Sequence, residues 1–254
     1  MIKISIIGYG NVAQHLIHAF QQNSEISIEQ VFTRHSEKKS LSNSAIAFIS
    51  DWNQILPADV FIIAVSDDAI AEVSKNFPFK NQFVVHTSGS VELEQISNRN
   101  RRGVFYPLQT FTKGKVVDFK NIPICLESET NTDLDLLRKL AQSISEKIYF
   151  INSQQRRALH VAAVFVNNFV NHLYQIGNEI CQENQVPFPI LEALIKETAS
   201  KIETLPPKEA QTGPAKRNDQ KTINSHLDFL KPNEMQQNIY KLLTQSIQNN
   251  GKEL

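Results

Sequence analysis

Two glycines near the start of the chain have the spacing of a phosphate-binding turn. Gly8 and Gly10 directly follow an apolar run in the segment "IKISIIGYGNVAQHL", and Ala13 occupies the third position of G-x-G-x-x-G/A. In such a turn the first glycine allows the bend and the second lets the backbone approach a pyrophosphate. The small third residue lets helix and strand pack closely. The sequence predicts a dinucleotide-binding turn, with a purely structural glycine turn as the alternative.

The elements on either side of this turn must hold it in place. The preceding run, residues 2–7, is rich in isoleucine and is typical of a buried strand. After the turn, apolar residues recur at helical spacing: Val12, Ala13, Leu16, Ile17 and Phe20. The start of a helix offers unpaired N–H groups and a partial positive charge to a phosphate. We therefore expect Asn11, Val12 and Ala13 to belong to the cofactor site with the two glycines.

The end of the second predicted strand indicates which dinucleotide binds. It reads "VFTRHSEKK", with Thr33 and Arg34 at the strand tip and Ser36, Lys38 and Lys39 shortly after. NAD sites place an acidic residue there for the ribose hydroxyls, whereas NADP sites place an arginine near the 2′-phosphate. No acid stands at this strand tip, so the sequence predicts NADP, bound in part by Thr33 and Arg34. The alternative is a solvated, charged turn.

Composition limits the class of protein. The 254 residues include 26 Lys and Arg against 26 Asp and Glu, and this balance favours neither nucleic acid nor an acidic membrane surface. The two cysteines, Cys125 and Cys181, lie far apart without metal-ligand spacing, as is typical of a reducing cytosol. No apolar run reaches the length of a membrane span, and the N-terminus lacks a signal-peptide pattern. We expect a soluble cytoplasmic protein with no metal site and no nucleic-acid or membrane partner.

The order of strand and helix patterns predicts the fold class. Strand-like runs follow at 26–32, 45–49, 60–65, 83–86, 104–106, 122–126 and 147–151, and helical stretches such as 68–75 and 132–145 separate several of them. This alternation favours an α/β fold with a doubly wound, Rossmann-type, mostly parallel sheet. After residue 151 the pattern is helical. We predict a nucleotide-binding domain at 1–152, an all-α domain at 153–254 and an active site between them.

Small and polar residues follow two of the predicted strands. Val65 and Ser66 end the run "FIIAVS", and Thr87 and Ser88 follow the strand at 83–86 in "HTSGS". Ligands of open parallel sheets lie at the carboxyl ends of the strands. We therefore expect Val65, Ser66 and Thr87 to line the cofactor site and Ser88 to act in catalysis. A loop made simply of turn-forming residues is the alternative for "HTSGS".

Seven segments together carry a family resemblance. They are "GYGNVA", "TR", "DVFIIAVSDDAI", "HTSGS", "YPLQTF", "LHVAAVFVNNF" and "QTGPAKRND". In this order they resemble a family of NADP oxidoreductases that joins a Rossmann-like domain to a helical domain of unassigned function. That family is similar to deazaflavin-dependent NADP reductases, pyrroline-5-carboxylate reductases and the 6-phosphogluconate dehydrogenase superfamily. The resemblance implies the fold, NADP as cofactor and a homodimer formed by the helical domain, but it does not identify the substrate. Our leading hypothesis is hydride transfer between NADP(H) and a small, anionic carbonyl or imine.

Two departures from related enzymes bear on activity. Related dehydrogenases often have His-Pro where this chain has Tyr106-Pro107, so a histidine acid is missing at that position. The similar β-hydroxyacid dehydrogenases place a catalytic lysine three residues before an Asn-Asn pair, where this chain has Val164 before Asn167-Asn168. Lysine-assisted alcohol oxidation is therefore disfavoured. A non-catalytic NADP(H)-sensing module is the alternative function.

The helix predicted at 154–184 has two contrasting faces. One is an apolar stripe, which predicts a core face: Ala158, Ala162, Phe165, Phe169, Leu173, Ile176 and Ile180. The other is polar but uncharged, which indicates a cleft or a subunit interface: His160, Asn167, Asn171, Tyr174 and Asn178. Our hypothesis makes His160 the proton donor and lets Asn167 orient the substrate. The alternative is that His160 is a hydrogen-bonded packing residue.

The segment "QTGPAKRND" places two cations after a Gly-Pro turn. Lys216 and Arg217 could hold an anionic substrate through charge-assisted hydrogen bonds, while Gly213 lets the loop move. A basic surface loop between helices is the alternative.

Overall fold

The computed structural model describes residues 1–34 and 46–249. Ser36, Lys38 and Lys39, predicted to favour a phosphate, lie outside these residues. The chain divides into two compact units, of which the first is Met1–Asn167 and the second begins at Asn168. None of the described helices is both long enough and apolar enough to cross a membrane.

Eight strands of the first unit form one sheet within the described residues. They are β1 (Ile2–Ile7), β2 (Ile26–Phe32), β3 (Ala47–Ile49), β4 (Val60–Ile63), β5 (Phe83–His86), β6 (Arg101–Pro107), β7 (Ile124–Ser128) and β8 (Ile148–Phe150). Their order is β3-β2-β1-β4-β5-β6-β7-β8. All neighbours are parallel except β6 and β7, which pair antiparallel. The predicted mostly parallel, doubly wound α/β sheet is confirmed.

Side chains that alternate along the strands bury the two faces of the sheet separately. The helices of this unit are α1 (Asn11–Gln21), α2 (Ile70–Val73), α3 (Asn131–Gln142) and α4 (Ser153–Ala163). On one face, Ile4 and Ile6 of β1 pack in a cluster with apolar residues of α1 and α3. On the other face, Ile7 belongs to a cluster with Ile70 of α2 and Phe77. This period-2 alternation is what a strand covered on both sides requires.

The start of α4 is fixed to the sheet unit. Asn152 caps the helix by accepting the Gln155 N–H, while the Gln155 side chain bonds back to the Asn152 backbone, which completes a capping box. The Ser153 hydroxyl donates to the carboxylate of Glu127 on β7 at 2.8 Å. The compact first unit therefore includes α4, beyond residue 152. The division into 1–152 and 153–254 stays a prediction.

Past α4 the described residues form helices joined by loops and turns, without a strand. A π-helical segment, Val164–Phe169, leads into α5 (Val170–Glu183), followed by α6 (Glu192–Lys201), α7 (Pro207–Ala210), α8 (Gln220–Phe229) and α9 (Glu234–Asn249). The predicted all-α region is confirmed. In unit two, Gln236 of α9 donates to Glu179 of α5 at 3.2 Å.

The apolar stripe of the long helix is not a core face of the single chain, and that prediction is wrong. Phe165 is 62% exposed, Phe169 49% and Leu173 39%. Two physical reasons account for the difference. The π-helical segment takes more residues per turn than an α-helix, so the assumed 100° spacing fails across it. Amphipathic patterning also shows only that a face is apolar, and not whether its own chain covers it.

Candidate active site

The register of the sheet brings four strand ends to one edge. Ile7, the last residue of β1, pairs with Phe32 of β2 on one side and Ile63 of β4 on the other. Ile63 in turn pairs with His86, the last residue of β5. The segments that leave these strands start level with one another: Gly8, Thr33, Ala64 and Thr87. Because β2 and β4 flank β1, this edge is the switch point at which open α/β sheets bind ligands.

The two glycines of the first turn have different structural roles. Gly8 has a φ of +114°, and a Cβ there would lie 2.2 Å from the Ala64 carbonyl oxygen. Only glycine fits this position, since both the backbone conformation and the space exclude a side chain. Gly10 is the N-cap of α1. A Cβ on Gly10 would meet no atom within 4 Å, so its missing side chain leaves open space in front of the helix N-terminus.

A cavity of about 890 Å³ opens at this edge of the sheet. Its lining includes the predicted cofactor residues Gly8, Gly10, Asn11, Val12, Thr33, Arg34, Val65, Ser66 and Thr87. Ala13 is fully buried in the core below instead. That position fits the small third residue of the motif, which packs helix against strand. The volume falls within the range of small-molecule and cofactor sites.

Further lining residues were not predicted from the sequence. Ser50 and Trp52 reach the cavity after β3, and Glu72 and Asn76 reach it from the α2 region. The Trp52 ring stacks on Phe32 with centroids 4.1 Å apart. A lone tryptophan after a short strand carries no motif, so no sequence signal connected it to the glycine turn.

The loop after β5 is organised by its own side chains. The Ser88 hydroxyl accepts the backbone N–H groups of Ser90 and Val91, each at 3.1 Å. The Ser90 hydroxyl donates to the carboxylate of Asp67. Thr87 lines the cavity, whereas Ser88 is not among its lining residues. The Ser88 oxygen thus stabilises the loop, and its catalytic assignment stays a prediction.

His86 is a buried, neutral histidine at the end of β5. It is 0% exposed, and its Nδ1 accepts the Ser88 N–H at 3.2 Å. Burial, together with the nearby Arg156 guanidinium, lowers the pKa of His86 to about 3. The ring therefore helps to shape the loop and stays uncharged near neutral pH.

His160 lies against this loop and forms a pair with Tyr106. The Tyr106 hydroxyl and His160 Nδ1 are 3.1 Å apart. A Cβ on Gly89 would lie 2.6 Å from His160 Nδ1 and 2.8 Å from the Tyr106 hydroxyl oxygen. The half-buried His160 ring thus packs against the loop that supplies Thr87 to the cavity, although His160 does not itself line the cavity. In the sequence, Tyr106 stands out only because related dehydrogenases have a histidine there, and no sequence signal pairs it with His160.

A buried arginine ties α4 to the same loop. Arg156 is 1% exposed and forms an ion pair with Glu127 of β7. It also donates to the backbone oxygen of Val91, at the end of the loop after β5. Arg156 and His160 are four residues apart and therefore lie on one face of α4. This anchor holds the start of α4, so His160 is carried on a fixed element.

The other polar residues predicted to contact the substrate, and Asn171 on the same polar face, are exposed to solvent. Asn167 and Asn171 are exposed, and Asn167 lies in the π-helical segment. Lys216 and Arg217 are exposed in the loop before α8. The part of the chain that the structure describes contains no group of three or more His, Cys, Asp or Glu side chains that could hold a metal.

The strand order and the glycine turn at the switch point define a Rossmann-type α/β protein joined to a helical region. The crystal structure of "putative NADP oxidoreductase BF3122" from Bacteroides fragilis superposes with a TM-score of 0.88, at 36% identity, covering 98% of each chain. The chain therefore belongs to the NADP oxidoreductase family that this protein represents. The family model described as "Domain of unknown function (DUF2520)" matches residues 122–247. None of the curated proteins compared with the chain matches it.

Two more distant structures share the fold. The reductive aminase from Aspergillus terreus, solved with NADPH and ethyl levulinate, has a TM-score of 0.73 at 13% identity, with 98% of this chain and 94% of that chain covered. The pyrroline carboxylate reductase of Plasmodium falciparum, solved with NADP bound, has a TM-score of 0.60 at 14% identity, with 99% and 98% covered. At these identities the similarity shows the fold alone.

Proposed function

We propose that the protein is an NADP(H)-dependent oxidoreductase that transfers a hydride to or from a small carbonyl or imine substrate. The observation that carries this proposal is the cavity of about 890 Å³, which is lined by all the residues expected to bind the cofactor except Ala13. Its glycine turn and the N-terminus of α1 suit a pyrophosphate. Arg34 lies at the end of β2, where the 2′-phosphate of NADP is bound in this class of fold.

The cofactor supplies the hydride, and the chain's residues hold and orient the reactants. We propose that Thr87 and the adjoining loop, including Ser88, lie beside the nicotinamide. His160 then donates the proton that the substrate oxygen or nitrogen needs, and Asn167 orients the substrate. Contact between His160 and Gly89 supports this arrangement, because it joins the proposed donor to the loop that lines the cavity.

An anionic substrate is part of the proposal. Lys216 and Arg217 are exposed cations that follow Gly213, whose φ of +101° needs a glycine. Arginine is well suited to bidentate binding of a carboxylate. A carboxylate-bearing keto acid or cyclic imine is therefore the first substrate class to examine.

We also propose a homodimer formed by the helical region. In the second unit, Phe169, Leu173, Ile190 and Leu194 are 39–67% exposed, and all are large apolar side chains. Exposed apolar residues in this number mark surfaces that bind another protein. The family resemblance makes a second copy of this chain the expected partner.

The test is NADPH oxidation by the purified protein against a panel of keto acids, imines and an oxidised deazaflavin. Turnover is expected with at least one member. His160→Ala should leave NADPH affinity nearly unchanged and lower turnover about 100-fold or more, as loss of a general acid does. His18→Ala, which removes an exposed histidine of α1, is the matched control and should keep full activity.

The second candidate is a module that binds NADP(H) without turnover. The observation favouring it is Val164, which stands where the similar β-hydroxyacid dehydrogenases have a catalytic lysine and lies in the π-helical segment. NADPH binding by calorimetry, combined with no oxidation across the whole panel, would favour this candidate over the enzyme.

A further inference from the structure

Tyr106 and His160 are brought together from distant parts of the chain. Tyr106 stands on β6 and His160 on α4, and the bond between the hydroxyl and Nδ1 spans 54 residues of sequence. Tyr106 is only 8% exposed. The phenol ring belongs to a small apolar cluster with Leu93 and Val104, which fixes where its hydroxyl points. The hydroxyl is thus a rigid partner for an imidazole on the neighbouring helix.

The hydrogen bond between Tyr106 and His160 determines which nitrogen of the neutral imidazole carries the proton. Burial raises the pKa of Tyr106 to about 12, so the hydroxyl keeps its proton near neutral pH. A buried O–H without an acceptor costs about 1–3 kcal/mol. Donating to Nδ1 of the neutral imidazole avoids this cost and leaves the ring proton on Nε2. When the imidazole is protonated, the same hydroxyl oxygen can accept the Nδ1 proton instead, so one partner serves both states of the ring.

The loop after β5 closes the space around Nδ1. The Gly89 backbone approaches so closely that a Cβ would lie 2.6 Å from Nδ1 and 2.7 Å from the Tyr106 ring. Nδ1 therefore lies against both Tyr106 and Gly89. With Nδ1 held in this contact, Nε2 is the ring nitrogen that the proposal assigns to the substrate.

We propose that Tyr106 is a positioning residue that holds Nδ1 of His160 and thereby presents Nε2 as the nitrogen that donates the proton. The proton-transfer part rests on the proposed function, whereas the arrangement of the ring does not. In the reductive direction the hydride goes from NADPH to the substrate carbon. The Tyr106 oxygen accepts the Nδ1 proton of the imidazolium while Nε2 gives its proton to the substrate oxygen or nitrogen. Proton exchange with water then returns the neutral ring to the tautomer in which Nε2 carries the proton and Nδ1 accepts the Tyr106 hydroxyl.

The decisive experiment is nitrogen NMR of the full-length protein labelled with ¹⁵N-histidine, at a pH where the His160 ring is neutral. We expect Nδ1 to be unprotonated and hydrogen-bonded and Nε2 to carry the proton. Tyr106→Phe, which keeps the ring and removes the hydroxyl, should move the Nδ1 resonance of His160 while the other histidine resonances stay in place. Tyr149→Phe, at a residue 51% exposed on β8, is the matched control and should move neither nitrogen.

Kinetics separate this inference from the proposed function. With a substrate found in the panel, Tyr106→Phe should lower kcat roughly 10- to 100-fold through misorientation of the ring, with an unchanged Kd for NADPH. A proton on Nδ1 in the wild-type spectrum, or an Nδ1 resonance indifferent to Tyr106→Phe, overturns the positioning role. If the spectra are as expected but no substrate is turned over, the proposed function is overturned and the positioning role of Tyr106 is not. The wild-type spectrum alone shows which nitrogen of His160 carries the proton. The test therefore remains valid even if Tyr106→Phe does not fold.

Discussion

The carbonyl oxygen of Ala64 occupies the place where a side chain on Gly8 would begin, 2.2 Å from the position of its Cβ. The end of β4 thus packs directly on the first turn, and the φ of +114° at Gly8 adds a second constraint. Gly8→Ala should lower the free energy of unfolding by roughly 1–3 kcal/mol for the backbone conformation, with a further cost from the collision. Urea denaturation measures this loss.

Gly114→Ala is the matched control for Gly8→Ala. Gly114 also has a positive φ, of +78°, but a Cβ there would meet no atom within 4 Å. This variant bears the conformational cost alone, so its loss of stability should be clearly smaller. Equal losses in the two variants would show that the contact with Ala64 adds nothing.

Arg34→Ala should distinguish the two nicotinamide cofactors. If the Arg34 guanidinium binds the 2′-phosphate, the charge-assisted hydrogen bonds are worth about 1.5–3 kcal/mol, and NADPH affinity should fall roughly 10- to 100-fold. NADH, which lacks that phosphate, should bind nearly as before. Arg99→Ala removes an exposed arginine elsewhere in the first unit and should leave both affinities unchanged. Equal losses for NADPH and NADH with Arg34→Ala would argue against NADP as the preferred cofactor.

His86 should make the fold sensitive to mild acid. Its folded pKa of about 3 lies below the ordinary value of 6.5, because burial disfavours the charged ring. Between these values the unfolded chain binds the proton and the folded chain does not, so stability falls as the pH falls through this window. The shift predicts a loss of about 2 kcal/mol in the free energy of unfolding between pH 7 and pH 5.

Urea titrations at several pH values, compared with His86→Gln, isolate this contribution. The variant cannot gain a charge at position 86, so its stability should depend less steeply on pH over the same window. Identical pH profiles for the two proteins would mean that protonation of His86 does not limit stability in acid.

Leu194→Glu should weaken self-association of the helical region. Leu194 is 63% exposed on α6, and a carboxylate there would be desolvated in an apolar interface. We expect sedimentation velocity to show a dimer for the wild type and more monomer for the variant. Lys139→Gln makes the same change in net charge on α3 of the sheet unit and should remain dimeric. A wild-type protein that is monomeric at micromolar concentration would contradict the proposed homodimer.

Local patterns were sufficient to predict most of the sheet. The run at 83–86 matches β5, and the run at 26–32 matches β2, since β-branched residues bounded by turn formers mark strands directly. The long helix was predicted within a residue at each end. Its internal π segment was not, because the residues Val164–Phe169 have no composition that distinguishes them from an α-helix. The prediction that its apolar stripe is buried was wrong because this π segment was not recognised. It was also wrong because the exposure of an apolar face depends on whether a partner covers it.

The candidate site was predictable only where a motif or a strand end marks it. Gly8, Gly10 and the strand tips reach one cavity because parallel strands end at a common edge. The pairs Tyr106–His160 and Glu127–Arg156 join residues 54 and 29 positions apart. Such contacts arise from packing between elements and leave no periodicity in the sequence. For that reason Tyr106 and Arg156 became visible only in the structure.

Calorimetric titration of NADPH into the wild type and into Gly10→Val shows whether the glycine turn binds the dinucleotide. The space in front of Gly10 is empty to 4 Å, so the valine should leave fold and stability nearly intact and occupy the position of the pyrophosphate. We expect NADPH to bind to the wild type and to show no measurable binding to the variant. Equal affinity of both proteins for NADPH, or no binding to either, would contradict it.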